Sequence, residues 1–595
     1  MVVFEIEVEI IMSRNKRRMK KPLALFTDFK YCILMDSRLR PWSESSNVQH
    51  LNEIKPLLLH KYKITTNKET AFFTPTLDHL GSPWDMADMG KAVSRIITGI
   101  QKGERIMIFG DFDADGIMST AQLYDGLRKM GAKVSYRIPD RMKDSHGLKK
   151  YIIDDISEAK VKLIITCDCG INDHEEVSHA KELGIDVIIT DHHMPDKSRE
   201  PKNAYAIINP HQERCQYPYK DLSGSVVAFK LICALAEKGL PDADAIREFI
   251  LPYFELATIG LISDCMPLTG ENRTFAQFGL GLLQNSNWEG LRRIFAKNNL
   301  DAGQIDEQTI GFTVAPLLNA ASRLSHAHLA VRLFTSDQNK IGQYLKDLES
   351  LNDHRKLLTQ TYMEQAQTMI VEDSPCQILV HKGWHPGILG LIAGRITEQL
   401  QVPVIAVTYD EKSGDNPIAG ASCRAPEGYN LAEALVSVGD HMLNHGGHEG
   451  AAGFRCNASE LIQIEEKLQK YWKESTAEKS PISITGTLNP DLLTPDFAIA
   501  LRPYKPFGMG MDTPIWRINK GIVTEVRMVG KNKNHAQIFV QLGTKTHKMM
   551  YFFAAEKAKK IQVRKPYNML IEISDQWWKG EHQLSIKIVD IRKAR

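Results

Sequence analysis

Short apolar runs alternate with helical segments through the first half of this 595-residue chain. Three of these runs are RIMIFGDFD near residue 105, KLIITCDCG near residue 162 and DVIITDHHMP near residue 186. Continuous apolar runs of this length, separated by helices, are typical of a parallel sheet covered on both faces. The pattern predicts an α/β domain preceded by an amphipathic helix, whose apolar positions are Met89, Ala92, Val93, Ile96 and Ile97.

The pattern changes twice further along the chain. Residues 330–372 have the character of one long helix, and a second α/β unit follows and runs to GGHEGAAGF at residues 446–454. After Ser480 the apolar runs become short and alternating, which predicts a small antiparallel β-barrel. We therefore predict an N-terminal arm (1–65), a catalytic α/β domain (66–329), a connector helix (330–372), a second α/β domain (373–478) and a barrel that binds nucleic acid (479–595).

Composition excludes several classes of protein. The net charge is +2, too balanced for the whole chain to bind nucleic acid, so any such role must come from local patches. The nine cysteines are scattered without a CxxC pair, which argues against a disulfide framework or structural zinc and favours a reducing compartment. No apolar stretch approaches the ~18 residues of a membrane span, and the N-terminus lacks signal-peptide features. We expect a cytoplasmic location, with the N-terminus as a leader.

Each of the three apolar runs ends at an aspartate. In open α/β sheets the ligand crevice lies beyond the carboxyl ends of the strands, so acids at three strand ends would meet in one place. A lone DxD is usually a solvated turn, and a lone histidine usually a core or surface residue, but convergence favours a site. A further acid follows the apolar stretch YFELATIGLIS. The predicted cluster comprises Asp111, Asp113, Asp115, Asp168, Asp191, His192, His193 and Asp264.

Such a cluster has the chemistry of a metal centre. That many buried carboxylates could not all stay ionised without cations. Oxygen ligands with one or two imidazoles favour Mn²⁺ or Mg²⁺ over structural zinc. Two such ions bridged by a carboxylate are a usual arrangement for hydrolysing a phosphodiester. Cys167 and Cys169 flank Asp168, and we interpret them as small buried hydrophobes.

Two later segments carry the chemistry of phosphate and nucleic-acid binding. GGHEGAAGF lets backbone N–H groups approach a phosphate closely, although a tight turn would have the same composition. Between Lys520 and Lys565 there are eleven Lys or Arg residues and two Asp or Glu residues, and HKMMYFF places aromatic rings among them. This composition is typical of a barrel that holds single strands, and equally of a solvated basic face over core aromatics.

The chain resembles a known family in several motifs. FGDFDADGIMST, TCDCGIND, TDHHMP and GLISDCMPL are similar to the four motifs of the DHH phosphoesterase superfamily, and WHPGILGLIAGRI with GGHEGAAGF is similar to its DHHA1 domain. RIPDRMKDSHGL, APLLNAASRL and PFGMGMDTPIW resemble more specifically the RecJ family of 5′→3′ exonucleases. The resemblance implies a DHH domain, a DHHA1 domain and an OB-like barrel. It also implies metal-dependent release of 5′-mononucleotides from single-stranded DNA in recombination and repair, with a single-strand-binding protein and a RecQ-type helicase as partners.

The resemblance also implies individual roles. Metal ligation falls to Asp113, Asp115, Asp168, His192 and Asp264, while Asp111 and Asp191 are further ligands or orienting groups. His193 would face the scissile phosphate as a donor or proton shuttle, and Arg323 would clamp phosphate. The 5′-terminal phosphate would be held by Ser422, Arg424, Gly446, Gly447 and His448. The chain departs from the family at Ser145-His146-Gly147, where many relatives have Gly-Tyr-Gly, and at Ser322, where many have glycine.

Two alternatives stay open. The first is a DHH phosphodiesterase acting on short oligonucleotides, cyclic dinucleotides or pyrophosphate, which would not need a basic barrel after residue 480. The second is a DNA-binding scaffold on a degenerate DHH fold, which would lose carboxylates that this chain retains.

Overall fold

The computed structural model describes residues 41–144, 146–409, 416–474, 481–530, 533–578 and 581–594. The predicted arm and leader lie outside the described residues up to residue 40, as does Ser145. The arm's end contains the short strand β1 (Asn47–Val48) and the helix Ile54–Lys61. Within these ranges, no helix is both long and apolar enough to cross a membrane. The described residues divide into two compact units, one within residues 55–353 and 499–513 and the other within residues 41–54, 354–498 and 514–594.

The first unit is built on a five-stranded parallel sheet, as the apolar runs predict. Its order is β3-β2-β4-β5-β6, and every pairing is parallel. Alternate residues of the central strand enter different cores, since Leu163 and Ile165 pack on one face and Ile164 on the other. The strands are β2 (Arg105–Gly110), β3 (Lys133–Arg137), β4 (Val161–Cys167), β5 (Asp186–Thr190) and β6 (Ala206–Ile208).

Helices cover both faces of this sheet. The predicted amphipathic helix spans Met89–Gln101 and buries four of its five predicted apolar positions. The apolar stretch before Asp264 is the end of the helix Ala243–Ser263, so Asp264 follows a helix rather than a strand. The other helices of eight or more residues here are Ala114–Lys129, Lys150–Glu158, His174–Glu182, Gly224–Gly239, Gly270–Leu283, Glu289–Lys297, Ala315–Leu324 and His328–Thr335.

The predicted connector is the helix Gln338–Gln367, 30 residues long. A second five-stranded sheet follows, with the order β10-β11-β9-β8-β7, in which only β7 and β8 are parallel. Its helices are Pro386–Leu400, Leu431–Val436 and Leu461–Glu474. Its strands are β7 (Gln377–Val380), β8 (Val404–Tyr409), β9 (Ile418–Arg424), β10 (Asn444–Gly447) and β11 (Ala451–Asn457).

The C-terminal strands close into a barrel, which confirms the predicted barrel, although β15 and β17 pair in parallel rather than antiparallel. The ring runs β13-β14-β15-β17-β16 and closes because β16 also pairs with β13. Two short helices, Pro495–Leu501 and Ala555–Lys559, belong to this part of the sequence. The strands are β12 (Gly486–Leu488), β13 (Ile515–Val529), β14 (His535–Leu542), β15 (Lys545–Tyr551), β16 (Pro566–Trp578) and β17 (Glu581–Lys593).

The sequence pattern does not predict β13, although it has 15 residues. Asn519-Lys520-Gly521 is typical of a turn, whereas the strand continues through it. Its register with β16 shifts between Ile518 and Gly521, and Lys520 takes a φ of 55°. A bulge therefore absorbs the turn-like residues without ending the strand. The domain boundaries drawn from the sequence stay predictions.

Candidate metal centre

Three acids lie directly beyond the ends of adjacent strands. The last paired residues of β2, β4 and β5 are Gly110, Cys167 and Thr190, which stand side by side in register. The residue that follows each strand is an aspartate, and these three residues, Asp111, Asp168 and Asp191, are buried. In the part of the chain that the structure describes, side chains able to share an ion, with ligand atoms within 4.8 Å of one another, form three overlapping groups. These are Asp111, Asp113 and Asp168; Asp115, His192 and Asp264; and Asp168, His192 and His193.

The FGDFDADG turn starts a helix, which explains part of its acid content. Asp113 is the N-cap of the helix Ala114–Lys129, and its Oδ1 accepts from the N–H groups of Asp115 at 3.0 Å and Gly116 at 3.1 Å. Aspartate is among the preferred residues at this position. Asp115 lies in the first turn, where the positive end of the helix favours a carboxylate.

A second helix N-terminus holds Asp115. The N–H groups of Gly224 and Ser225, which begin the helix Gly224–Gly239, donate to its two carboxylate oxygens at 2.7 and 3.1 Å. A Cβ on Gly224 would lie 2.5 Å from Asp168 Oδ1, so only glycine allows this approach. The sequence prediction gave these donors no role. They lie in the segment DLSGSVVAFKL at residues 221–231, where Ser223 before an apolar run is the signal of a helix N-terminus.

Asp168 lies at the centre of the site, and its backbone has a conformation that residues other than glycine rarely adopt. Its φ is 63°, and it belongs to two of the three groups. His192 Nε2 lies 3.1 Å from Asp168 Oδ1 and 3.6 Å from Asp264 Oδ2. A positive φ strains the backbone of a residue other than glycine, and such strained residues tend to occur at functional sites.

Asp191 is engaged by protein donors on both oxygens. Its Oδ2 accepts from Ile171 N–H at 3.0 Å, while its Oδ1 accepts from the N–H groups of His192 and His193 and lies 2.7 Å from His193 Nδ1. Although burial opposes it, the Asp191 carboxylate raises the pKa of His193 to about 9. This geometry favours Asp191 as the group that orients His193, leaving His193 Nε2 for a ligand or substrate.

The pKa values show uncompensated negative charge. Burial, followed by the charge of neighbouring aspartates, raises the pKa of Asp113 to about 6 and that of Asp264 to about 8. The same causes raise the pKa of Asp168 well above its usual range. Buried oxygen donors that repel one another, together with imidazole nitrogens, fit one or two hard divalent cations such as Mn²⁺ or Mg²⁺.

Two residues that lie outside the predicted cluster, His146 and Arg141, face the acids. His146 Nδ1 lies 3.1 Å from Asp111 Oδ1, and its ring lies 4.3 Å from that of Phe112. The Arg141 guanidinium lies 4.8 Å over the same Phe112 ring. Burial lowers the pKa of Arg141, while the charges of Asp113 and Asp111 oppose that change.

The predicted phosphate-binding residue Arg323 lies in the last turn of the helix Ala315–Leu324.

The predicted phosphate-binding residues of the second unit lie on neighbouring strands. Ser422 in β9 pairs with Gly453 in β11, which pairs with Gly446 in β10. GGHEGAAGF forms a hairpin here, closed by His448 N–H donating to Ala451 O at 2.8 Å. Arg424 Nη1 donates to Ser422 Oγ at 3.3 Å. The roles of Gly446, Gly447 and His448 stay predictions.

The barrel separates the rings of HKMMYFF into two sets. Tyr551 is buried in the barrel, whereas Phe552 and Phe553 are 45% and 79% exposed. Most of the lysines between residues 533 and 565 are exposed as well. The basic surface thus carries two rings that a base could stack on, while the other ring serves the core.

Buried acids and imidazoles at the carboxyl edge of a parallel sheet are the chemistry of a metal-dependent phosphoesterase. The DHH family, N-terminal domain, matches residues 105–263, the DHHA1 domain matches residues 370–474 and the RecJ OB domain matches residues 484–590. The chain belongs to the RecJ family of single-stranded-DNA-specific exonucleases, which confirms the resemblance seen in the motifs.

Named relatives support this assignment over most of the chain. The single-stranded-DNA-specific exonuclease RecJ of Bacillus subtilis is 32% identical over 549 residues, covering 91% of this chain and 68% of the relative. The Escherichia coli protein of the same name is 30% identical, covering 77% of this chain and 82% of the relative. The crystal structure of Thermus thermophilus RecJ with Mn²⁺ is 26% identical and has a TM-score of 0.77, covering 92% of this chain and 80% of that one.

Proposed function

We propose that this chain is a single-stranded-DNA-specific exonuclease that degrades DNA from the 5′ end and releases 5′-mononucleotides. The observation that carries the proposal is the buried acid cluster at the carboxyl edge of the first sheet, in a chain that also has the barrel of its family. A closed barrel with a basic surface distinguishes it from DHH enzymes of small substrates, and retained carboxylates distinguish it from a degenerate scaffold.

The residues of the cluster divide into binding and proton-transfer roles. Asp111, Asp113, Asp115, Asp168, His192 and Asp264 would hold two Mn²⁺ or Mg²⁺ ions. When bound, such ions activate water and neutralise negative charge that develops on the phosphate. His193, protonated and held at Nδ1 by Asp191, would donate from Nε2 to the leaving 3′ oxygen. Arg323 would hold a phosphate oxygen through its planar guanidinium.

We propose that Ser422 and Arg424 bind the 5′-terminal phosphate, and the helix Pro386–Leu400 offers a way to test this. A methyl group on Gly390 would lie 3.0 Å from Arg424 Nη2 and 3.1 Å from Ser422 Oγ, so Gly390→Ala should displace both polar groups. We expect the preference for 5′-phosphorylated over 5′-hydroxyl single strands to fall roughly tenfold, because a tenfold change corresponds to the free energy of about one hydrogen bond to a charged group. The measurement is kcat/KM on the two substrates.

Gly394→Ala is the matched control for that variant. A Cβ there would lie one helical turn further on, 4.0 Å from Arg424 Cγ, which is ordinary contact. It should keep the preference for 5′-phosphorylated ends. Equal loss of preference in both variants, or none in Gly390→Ala, would contradict the assignment.

The proposed function is tested with 5′-labelled single-stranded DNA, duplex DNA, a dinucleotide and pyrophosphate, each with Mn²⁺, Mg²⁺ or EDTA. Release of the label as mononucleotide from the single strand, abolished by EDTA, is expected. Faster hydrolysis of the dinucleotide than of the long strand would favour a small-substrate phosphodiesterase instead. No hydrolysis of any substrate with either ion would favour the scaffold.

We further propose a single-strand-binding protein and a RecQ-type helicase as partners, supported by the family resemblance alone. Each should stimulate degradation when added to DNA whose 5′ end is covered or paired. A cytoplasmic location is also proposed, because all eight cysteines that the structure describes are free, which suits a reducing compartment.

A further inference from the structure

Asp264 differs from Asp113, Asp115 and Asp191 in how its carboxylate is held. Asp113, Asp115 and Asp191 accept hydrogen bonds from backbone N–H groups. Among the residues that the structure describes, none donates a hydrogen bond to the Asp264 carboxylate, and the Nε2 atom of His192 lies 3.6 Å away from it. The position of Asp264 therefore depends on its backbone, which caps the helix Ala243–Ser263.

The loop after Asp264 is held by a segment from far along the chain. Cys265 takes a φ of 55°, and Met266 N–H makes the last bond back to the helix, to Leu261 O at 3.3 Å. The next backbone bond of this loop runs from Leu268 N–H to Met509 O at 2.8 Å. Leu268 is buried, and a Cβ on Gly508 would lie 2.8 Å from its Cδ1.

This segment, residues 499–513, packs within the unit of the acid cluster although it lies in the part of the sequence that matches the RecJ OB domain. Buried Arg273 stacks 3.5 Å over the Phe72 ring and donates from Nη2 to the carbonyls of Pro503, Tyr504 and Lys505 at 3.4, 3.3 and 3.1 Å. Three successive carbonyl groups that accept from one guanidinium fix the path of the segment before it reaches the loop.

Two further bonds fix the segment on either side of Met509. Phe507 N–H donates to Glu307 Oε1 at 3.4 Å, and Tyr62 Oη donates to Asp512 O at 2.9 Å. The segment is thus a rigid support rather than a loose linker. On the other side of the loop, Asn272 Nδ2 donates to Pro267 O at 3.0 Å.

We propose that residues 499–513 are a positioning element of the metal centre, which hold the loop 265–269 and thereby set the position of Asp264. The inference rests on the proposed function only in that Asp264 binds the ion. It gives a segment from the part of the sequence that matches the RecJ OB domain a second role besides any contact with DNA, namely to support a residue of the metal centre.

The test is Gly508→Val in the full chain, compared with Gly290→Val. Both substitutions introduce a side chain where a Cβ would lie 2.8 Å from a buried leucine, Leu268 in one case and Leu333 in the other. At Gly290, in the helix Glu289–Lys297, the Cβ would also lie 2.8 Å from the backbone O of Leu333, so the control is the more disruptive substitution of the two. Mn²⁺ affinity is measured by the electron paramagnetic resonance signal of free Mn²⁺. We expect Gly508→Val to bind Mn²⁺ roughly tenfold more weakly, as for loss of a group that orients a ligand, and Gly290→Val to lower the Tm without changing affinity.

A compensating change separates displacement of the loop from general loosening. The substitution Gly508→Val adds as many carbon atoms as the substitution Leu268→Ala removes. The double variant Gly508→Val/Leu268→Ala should therefore relieve the clash and recover most of the Mn²⁺ affinity. Unchanged affinity in Gly508→Val, or equal weakening in Gly290→Val, overturns the proposal. Failure of the wild-type chain to bind Mn²⁺ or cut single-stranded DNA would instead overturn the proposed function, so the two are distinguishable.

Discussion

Replacing Asp168 with asparagine is expected to abolish hydrolysis while leaving the metal-free fold at least as stable as before. Asp168 belongs to two of the three ligand groups, and its Oδ1 lies 3.1 Å from the Nε2 atom of His192, which belongs to the third. Its loss therefore removes a ligand from two groups and a neighbour of a ligand from the third. Metal stabilisation of the transition state is worth several kcal/mol, which corresponds to a loss of about 10³-fold or more in kcat. The measurements are single-turnover hydrolysis of single-stranded DNA with Mn²⁺ and the Tm in EDTA.

Stability should not fall, for two physical reasons. The raised pKa of Asp168 means that burial and the neighbouring aspartates disfavour its ionised form. A neutral amide removes the free-energy cost of burying that charge. Asparagine also tolerates the left-handed φ of 63° better than most residues. Activity loss with a strongly lowered Tm would indicate a structural role instead.

Asp125→Asn is the matched control for this variant. Asp125 is also a buried aspartate of the first unit, and it accepts from Tyr253 Oη at 2.9 Å. It belongs to none of the three ligand groups that the described residues form. Hydrolysis by Asp125→Asn should continue at a rate close to that of the wild type. Loss of hydrolysis in both variants would contradict the assignment of Asp168 as a metal ligand, because any buried aspartate of the unit would then have the same effect.

The convergence of Asp111, Asp168 and Asp191 was predictable because it depends only on strand order. Apolar runs separated by helices imply parallel strands, and parallel strands align their carboxyl ends. The separate roles of these acids were not predictable, because they depend on donors from elsewhere. The N–H groups that hold Asp115 come from Gly224 and Ser225, more than a hundred residues later.

Other features were missed because the element that carries them was missed. Arg141 and His146 follow β3, whose KVSYR sequence is too short and too polar to stand out as a strand. The proposed support of Asp264 by residues 499–513 joins two parts of the chain that lie far apart in the sequence, so no local pattern contains it. Local periodicity predicts elements, whereas contacts between distant elements follow from packing that periodicity does not encode.

The same buried charge predicts how metal-free stability depends on pH. A carboxyl group whose pKa is higher in the folded chain stabilises the fold while it is protonated, below about pH 4, and this contribution is lost as the pH rises through the folded pKa. That pKa is about 6 for Asp113 and about 8 for Asp264. The raised pKa of His193, about 9, acts in the same direction, while the lowered pKa of His192 opposes it.

We therefore expect the Tm in EDTA to fall between pH 6 and pH 8, while Mn²⁺ increasingly restores it, because ligands must be deprotonated to bind. The difference in Tm between Mn²⁺ and EDTA should widen by about 3 °C or more over this range, corresponding to roughly 2 kcal/mol for a unit of this size. Differential scanning calorimetry at fixed ionic strength measures both curves. In Asp264→Asn the EDTA curve should be flatter, since one titrating group is gone. A difference that stays constant or narrows with pH would mean that the carboxylates are not the groups the metal neutralises.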